Sequence, residues 1–547
     1  MIFLTTLLIS VFTTIALIPV CSSLAVRLNI LDIPNERKVH VRPIPRSGGI
    51  AMAMGTLLPI LLTLPFHDFL KSIVVGCWIV VMFGLLDDSR GLPYKYKFAA
   101  QIAAALVVIF FGGVRITHLG SFLPEGIDLP VWLAVPLTVV AIVGVTNAIN
   151  LSDGLDGLAG GISILTFLCI AYLSFLSKDG TITLLSIAVI GAIFGFLRFN
   201  THPANLFMGD SGSQFLGFLA VSLCLKLTQT DSSLNRLLPL MLMGLPILDT
   251  LSVMIGRIAR GKSPFLPDKN HLHHRFVRLG LSHAETVSVL YVLQSFLVTC
   301  AFLFRSQNEW FILFLCLGFG FVVLSGLAAA EKTGRQIRWN RFIDEFIRQK
   351  IKTLKKRYFL ICTSFGVCEK GLPLLLLLTV LLPVEVPVYV TYLAACLIVL
   401  IVLTWFLRRE WLGGVLRMGL YLFIPYAVYL SEKEVHEWIG EKTLTAYNLF
   451  FGILVLFIIL TLKFTRRQKG FKTTPLDFLI LFVALVVPNL PDALIRSFDM
   501  SLMATKIIVF FFGYEVLMGE LRGEYKKLAL EFVAILLVVT IRGFFSI

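Results

Sequence analysis

The sequence predicts an all-α polytopic membrane protein made of two helical membrane domains. Three observations predict it. The 547 residues are 57% hydrophobic and only 15% charged, which excludes an ordinary soluble globule. Apolar runs of about 17–25 residues recur along the chain, the length of helical spans, and they do not alternate as barrel strands must. The formal net charge is +15, yet Lys and Arg are dispersed between the runs. Such dispersal suits loops facing anionic lipid and excludes a nucleic-acid surface.

Runs near 3–26, 48–66, 70–86, 98–113, 129–147, 160–177, 181–197, 213–229, 236–256, 286–304 and 309–329 give about eleven spans in residues 1–330. The first run lacks a basic leader and a small-residue cleavage site, so it reads as a helix and not as a signal peptide. Loops after odd-numbered spans carry Arg37, Lys38, Arg42, Arg46, Arg90, Lys95, Lys97, Arg257, Arg260, Lys262, Lys269, Arg275 and Arg278. Loops after even-numbered spans carry little beyond Lys71, Arg115 and Lys178. This asymmetry puts the amino terminus outside the cytoplasmic membrane and the rich loops in the cytoplasm.

Residues 331–357 are strongly basic, and Trp339, Phe342, Phe346 and Ile347 suit either a surface amphipathic helix or a solvated linker. Runs near 364–383, 388–407, 415–430, 444–463, 475–489, 499–518 and 527–545 then give about seven further spans in residues 358–547. This second domain shows no polar motif like those of the first. Glu432, Glu434, His436 and Glu437 read as an outer, solvated loop. The nine cysteines lie mostly inside apolar runs without CxxC spacing, so they read as small core residues.

The polar motifs fall on the cytoplasmic side. In NAINLSDGLDGLAGG, from Asn147, polar side chains recur every third residue as Asn147, Asn150, Asp153 and Asp156. Gly154 and Gly157 weaken a helix here, so the expectation is a helix end opening into a loop. Amides and carboxylates at a membrane face are costly unless they bind something, and oxygen-only ligands suit Mg2+; a packing clasp between helices is the plainer reading. Asp87 and Asp88 end the third span, and adjacent carboxylates repel unless a cation, a shared proton or good solvation intervenes. Lys95 and Lys97 follow. Asp210 lies in NLFMGDSGSQFLG, where a loop entering a helix offers free N–H groups to an anion. Phe207 beside it can stack on a base or simply pack. His271, His273 and His274 form an H-x-H-H next to Arg275. No Cys or carboxylate is spaced in sequence to complete a zinc site, so a grip on phosphate or a sugar hydroxyl suits them better. Finally DIPNERKVHVRPIPRSGGI, from Asp32, joins Arg46 and other cations to His40 and a Ser-Gly-Gly turn.

The order DIPxxRKxHxxPxPRxGG, DD, NAxNxxDGxDGLAGG, FMGDxGS and HxHH resembles the polyprenyl-phosphate N-acetylhexosamine-1-phosphate transferases, over residues 1 to about 330. The resemblance implies transfer of a sugar-1-phosphate from a UDP-sugar to a polyprenyl phosphate such as undecaprenyl phosphate, with release of UMP. It implies Mg2+, with Mn2+ as a substitute, held by Asp210 and Asn150. It puts Asp156 and Phe207 at the uracil, Lys97 at phosphate, and Asp87, Asp88 and Asp153 in the catalytic cluster. Asn147, Arg46, Lys95, Arg275 and the three histidines join the substrate surface. A homodimer and contacts with downstream glycosyltransferases are further expectations, and the product would start a cell-surface glycan.

Two other functions compete. The phospho-MurNAc-pentapeptide translocase branch reads more like TPTMGG and HHHFE where this chain has Ile44-Pro45-Arg46-Ser47-Gly48-Gly49 and His271-Leu272-His273-His274-Arg275. These departures point to a sugar without peptide. A transporter of a phosphorylated ligand would place charge near the bilayer midplane and carry internal repeats, neither of which is present.

Overall fold

The computed structural model describes residues 2–33, 43–124, 127–263, 270–333, 358–407, 411–433, 436, 439–464, 500–521 and 524–545. The predicted basic linker beyond Thr333, the predicted span 475–489, and Arg37, Lys38, His40, Arg42 and Lys269 lie outside the described residues. The chain forms two compact units, residues 1–339 and 340–547. Among the described residues, twelve helices are long and apolar enough to cross a membrane.

The first unit contains α1 (Ile2–Arg27), α2 (Gly48–Thr63), α3 (Asp68–Arg90), α4 (Tyr94–Phe110), α5 (Val131–Ser152), α6 (Leu158–Leu176), α7 (Gly180–Asn200), α8 (Gly209–Thr230), α9 (Leu238–Leu242), α10 (Gly244–Ile258), α11 (Leu272–Arg278), α12 (His283–Leu303) and α13 (Glu309–Thr333). Each apolar run of this unit is helical. The ninth is broken, with α9 and α10 meeting at Met243. The break frees the Leu242 carbonyl, which accepts from Gln294 Nε2 at 2.7 Å and Thr166 Oγ1 at 2.9 Å. A broken helix at membrane depth needs such substitutes for its lost backbone partners.

Helix α8 is the centre of the unit. It packs against α2, α3, α5, α6, α7 and α9, is buried along nearly its whole length, and has the lowest mean hydropathy among the unit's described helices long enough to cross a membrane. Lipid does not select its surface; neighbouring helices do. Buried Ser211, Ser213, Gln214, Ser222 and Thr228 are therefore tolerated where a lipid-facing helix would need Leu or Phe. The neighbours also come very close. A Cβ on Gly84 of α3 would lie 2.5 Å from Ser211 Cα and 2.6 Å from Ser211 N.

One departure from an all-helical pattern matters for the site. Strand β1 (Leu31–Asp32) pairs antiparallel with β2 (Ile44–Pro45). The next residue, Arg46, bridges to Phe207, whose N–H donates to Pro45 O at 2.9 Å. This small ribbon ties the α1–α2 connection to the start of α8.

The second unit contains α14 (Tyr358–Leu381), α15 (Val388–Leu407), α16 (Leu412–Lys433), α17 (Glu441–Phe464), α18 (Met500–Leu521) and α19 (Lys526–Phe545). Leu372, Leu416, Phe423, Leu454, Phe510 and Phe532 are in its core. The structure corrects the solvated-loop reading of Glu432. That residue lies within α16 and pairs at 2.5 Å with Lys506, which is 1% exposed and sits 4.4 Å from the centre of the Tyr447 ring. Glu434 and Glu437 lie outside the described residues. The apolar runs around Glu432 and Lys506 hid the pair, since its partners are far apart in sequence.

The α3–α8 approach yields a test. Gly84→Val should lower the stability of detergent-purified protein by about 1–3 kcal/mol through overpacking. An unchanged melting transition would show that α8 can move away from α3 at no cost.

Candidate active site

At one end of the first unit α2, α4, α6, α8 and α12 begin while α3, α5, α7 and α10 finish, and the polar motifs gather there. The adjacent carboxylates at the end of α3 solve their repulsion by facing different ways. Asp88, 9% exposed, accepts from Asp210 N at 2.9 Å through Oδ1, and from Ser211 N at 3.2 Å and Ser211 Oγ at 3.1 Å through Oδ2. It thus caps the first turn of α8 from a different helix, where a negative charge also meets the positive end of the helix dipole. Gly209 has φ +71° and lies directly against the Asp88 carboxylate, so neither its backbone nor its surroundings leave room for a side chain.

Asp87 turns the other way. Its Oδ1 accepts from Leu92 N at 2.6 Å and its Oδ2 meets the Lys97 ammonium. Lys97, on the first turn of α4, also reaches Asp210 Oδ2 at 2.9 Å. One cation therefore joins two carboxylates brought from α3 and α8. Asn150 completes the group, donating to Asp210 Oδ1 at 3.2 Å and Ser213 Oγ at 2.8 Å. Carboxylates, an amide and a hydroxyl form an oxygen donor set that suits a hard divalent cation. The Asn150 amide now aims its nitrogen at Asp210, so it would offer its oxygen to a cation after a half-turn about its last bond.

The loop expected after Asn150 is present. Helix α5 ends at Ser152 and α6 begins after Gly157. The turn is pinned by Gly157 N donating to Asn200 Oδ1 at 2.9 Å and by Tyr291 OH donating to Gly157 O at 2.6 Å. Asp153 is half-buried among Asp210, Asp88 and Asp156, with Arg46 as a countering charge. Burial first, then those carboxylates, push its pKa up to about 7. Asp156 accepts from His202 Nδ1 at 2.7 Å and from Ala204 N at 3.2 Å. Asn147 points elsewhere, donating to Gln101 Oε1 at 2.6 Å, while Gln101 donates to Gln214 Oε1 at 3.1 Å. That ladder clasps α4, α5 and α8 together.

Two of the motif's histidines, His271 and His273, act as supports within the fold. His271 and His273 are buried. His271 Nδ1 lies 2.9 Å from Asp249 Oδ2, and Asp249 Oδ1 accepts from Leu272 N at 2.6 Å. The His273 ring fills the space that a Cβ on Gly154 would take, so the H-x-H-H motif interlocks with the α5–α6 turn. Burial, and then His274, lower the His273 pKa to about 3, which favours the neutral imidazole. His274 is half-buried with its ring 4.2 Å from that of His273. Arg275 forms a bidentate pair with Glu331, at 2.9 Å and 2.8 Å. Lys95 is exposed on the first turn of α4, and Arg46 pairs with Asp32. Phe207 sits on the ribbon beside Arg46.

Several residues escaped the sequence reading. Gln101, Gln214 and Asp249 lie inside apolar runs, where a buried amide or acid is itself a signal. Asn200, His202, His283, Tyr291 and Glu331 carry no local pattern; only the fold brings them to the motifs.

The Asp153 shift has a signed consequence. A carboxyl whose folded pKa stands above its unfolded value of 3.8 costs stability as pH rises from there to about 7, and the cost is constant above that. In metal-free buffer Asp153→Asn should therefore match wild type below pH 3.8 and exceed it in thermal stability above about pH 7. Equal melting temperatures at both ends of the range would remove the crowded-carboxylate account.

Comparison with known proteins gives the family. Residues 70–228, from α3 to the last turns of α8, match glycosyl transferase family 4. The chain is 37% identical over 309 residues to the probable undecaprenyl-phosphate N-acetylglucosaminyl 1-phosphate transferase of Bacillus subtilis, covering 56% of this chain and 86% of that protein. It is 33% identical over 341 residues to the decaprenyl-phosphate N-acetylglucosaminephosphotransferase of Mycobacterium leprae, covering 56% and 84%. With the undecaprenyl-phosphate alpha-N-acetylglucosaminyl 1-phosphate transferase of Escherichia coli K12 it shares 28% identity over 342 residues, covering 60% and 92%. With most of the length of these relatives matched and the carboxylate, amide and lysine motifs gathered at one end of the bundle, the chain belongs to the polyprenyl-phosphate N-acetylhexosamine-1-phosphate transferase family.

Proposed function

We propose that the first unit transfers N-acetylglucosamine-1-phosphate from a UDP-sugar to undecaprenyl phosphate at the cytoplasmic face, releasing UMP and starting a cell-surface glycan. The observation that carries this is the convergence of Asp87, Lys97 and Asp210 beside Asn150 at the start of α8. The names of the relatives supply the acceptor and the sugar. Two anionic substrates must be brought together, so positive charge has to offset their repulsion.

A polyprenyl phosphate is already an oxyanion at neutral pH, since phosphate esters lose their second proton near pH 6. A general base is thus only weakly required. In the direct route a phosphate oxygen of the lipid attacks the sugar-bearing phosphorus, and the bond to the UMP oxygen breaks with its electron pair leaving on UMP. Asp87 orients the nucleophile, and Lys97 offsets charge on the phosphates. Asp156 and Phe207 receive the uracil. Asp210 and Asn150 would hold Mg2+, which supplies charge neutralisation for the diphosphate.

Asp210→Asn keeps the side-chain volume and removes the charge. It should lower transfer from radiolabelled UDP-GlcNAc to undecaprenyl phosphate by about a hundredfold or more while the protein stays monodisperse. Wild-type turnover in that variant would sink the assignment. Orientation has its own test in a cysteine-free background. Lys178→Cys should react with an impermeant maleimide in intact cells, and Arg90→Cys only after permeabilisation. The reverse pattern would place the site outside.

A further inference from the structure

Three segments meet beside the α5–α6 turn and join Asp156 to two histidines that the transferase reading leaves without a role. Asp156 lies in that turn, His202 follows the end of α7, and His283 opens α12. One ligand atom from each lies within 4.8 Å of the other two. His202 Nδ1 is 2.7 Å from Asp156 Oδ2, His283 Nε2 is 3.3 Å from Asp156 O, and the two imidazoles stack with centroids 4.2 Å apart and planes 21° from parallel. The positions are fixed. Ser282 and Glu285 form a reciprocal cap that fixes the first turn of α12 and with it His283, and Ala204 N donates to Asp156 at 3.2 Å. His202 is exposed and the other two are half-buried, so the group opens to water.

We propose that Asp156, His202 and His283 form a binding site for a borderline transition-metal ion of the zinc type, separate from the oxygen donors around Asp210. Two imidazole nitrogens and one carboxylate are a common protein ligand set for zinc, leaving a fourth position for water, whereas Mg2+ avoids nitrogen. Tetrahedral ligands on bonds of about 2.0–2.1 Å sit roughly 3.3 Å apart, so modest side-chain rotations close the group. The ion would link the α5–α6 turn, the α7–α8 connection and α12. Because Asp156 is also the residue assigned to the donor base, a bound ion would compete with the UDP-sugar. That second consequence rests on the proposed transferase reading; metal binding does not.

The test uses the full-length protein in detergent, dialysed against buffered Zn2+ with excess Mg2+, with bound zinc measured by elemental analysis. Wild type should hold about one more zinc per chain than His202→Ala/His283→Ala, and than the gentler His202→Asn/His283→Gln, which keeps hydrogen-bonding groups in place. His274→Ala should retain the wild-type amount, which separates this site from the H-x-H-H motif. Equal zinc in wild type and the gentler variant overturns the site. With turnover as a second readout, Zn2+ should raise the apparent KM for the UDP-sugar in wild type only. A zinc difference without transfer from any UDP-sugar would uphold the metal site and count against the donor reading instead.

Discussion

The hydrogen bonds from the first turn of α8 to the Asp88 carboxylate do two things at once. They satisfy N–H groups that would otherwise be stranded at a buried helix start, and they fix where Asp210 points. A cap of this sort is worth about 1–2 kcal/mol. Its larger effect is geometric, because it places Asp210 within reach of Lys97 from α4 and Asn150 from α5. The Gly84 contact serves the same junction, letting the α3 backbone come close enough to Ser211 for the carboxylate beside it to arrive. Helix packing and site chemistry are one problem here, and the adjacent acids Asp87 and Asp88 divide it between them.

Much of this was legible in the sequence because lipid imposes a long, one-dimensional pattern. The apolar runs gave the helices of the first unit, and the helix end after Asn150 followed from glycines set among polar residues. The central place of α8 was not legible. A span that neighbouring helices bury can be less apolar than one facing lipid, so hydropathy understates its importance. Nor could spacing tell Asp87 from Asp88, which differ only in the direction each faces at the end of one helix. The histidine motif was read as a grip on phosphate or a sugar hydroxyl; that His273 is also buried against Gly154 and His271 held by Asp249, a partner 22 residues away, could not be read from spacing. The ribbon that pairs Leu31–Asp32 with Ile44–Pro45 was too short for any period to announce it.

The second unit shows the same limit more sharply. Lys506 is nearly inaccessible and paired with Glu432 beside the Tyr447 ring, and Arg417 meets Glu515 at 2.6 Å. Arg542 donates to the Val380 and Pro383 carbonyls, at 2.6 Å and 2.5 Å. A buried pair such as Lys506–Glu432 adds little net stability, since desolvation offsets most of the attraction. Removing one partner, however, strands the other charge, so the pair fixes which helices face one another.

The composition of α8 also bears on how the protein is made. A segment so rich in Ser, Gln and Thr partitions poorly into hydrocarbon by itself, so a nascent α8 leaving the translocon needs protein rather than lipid to receive it. Its partners α2, α3, α5, α6 and α7 come earlier in the chain, and α9 comes later. Synthesis from the amino terminus therefore delivers the seat before the helix that fills it. The order of the spans along the gene is thus part of how a polar helix comes to rest inside a bilayer.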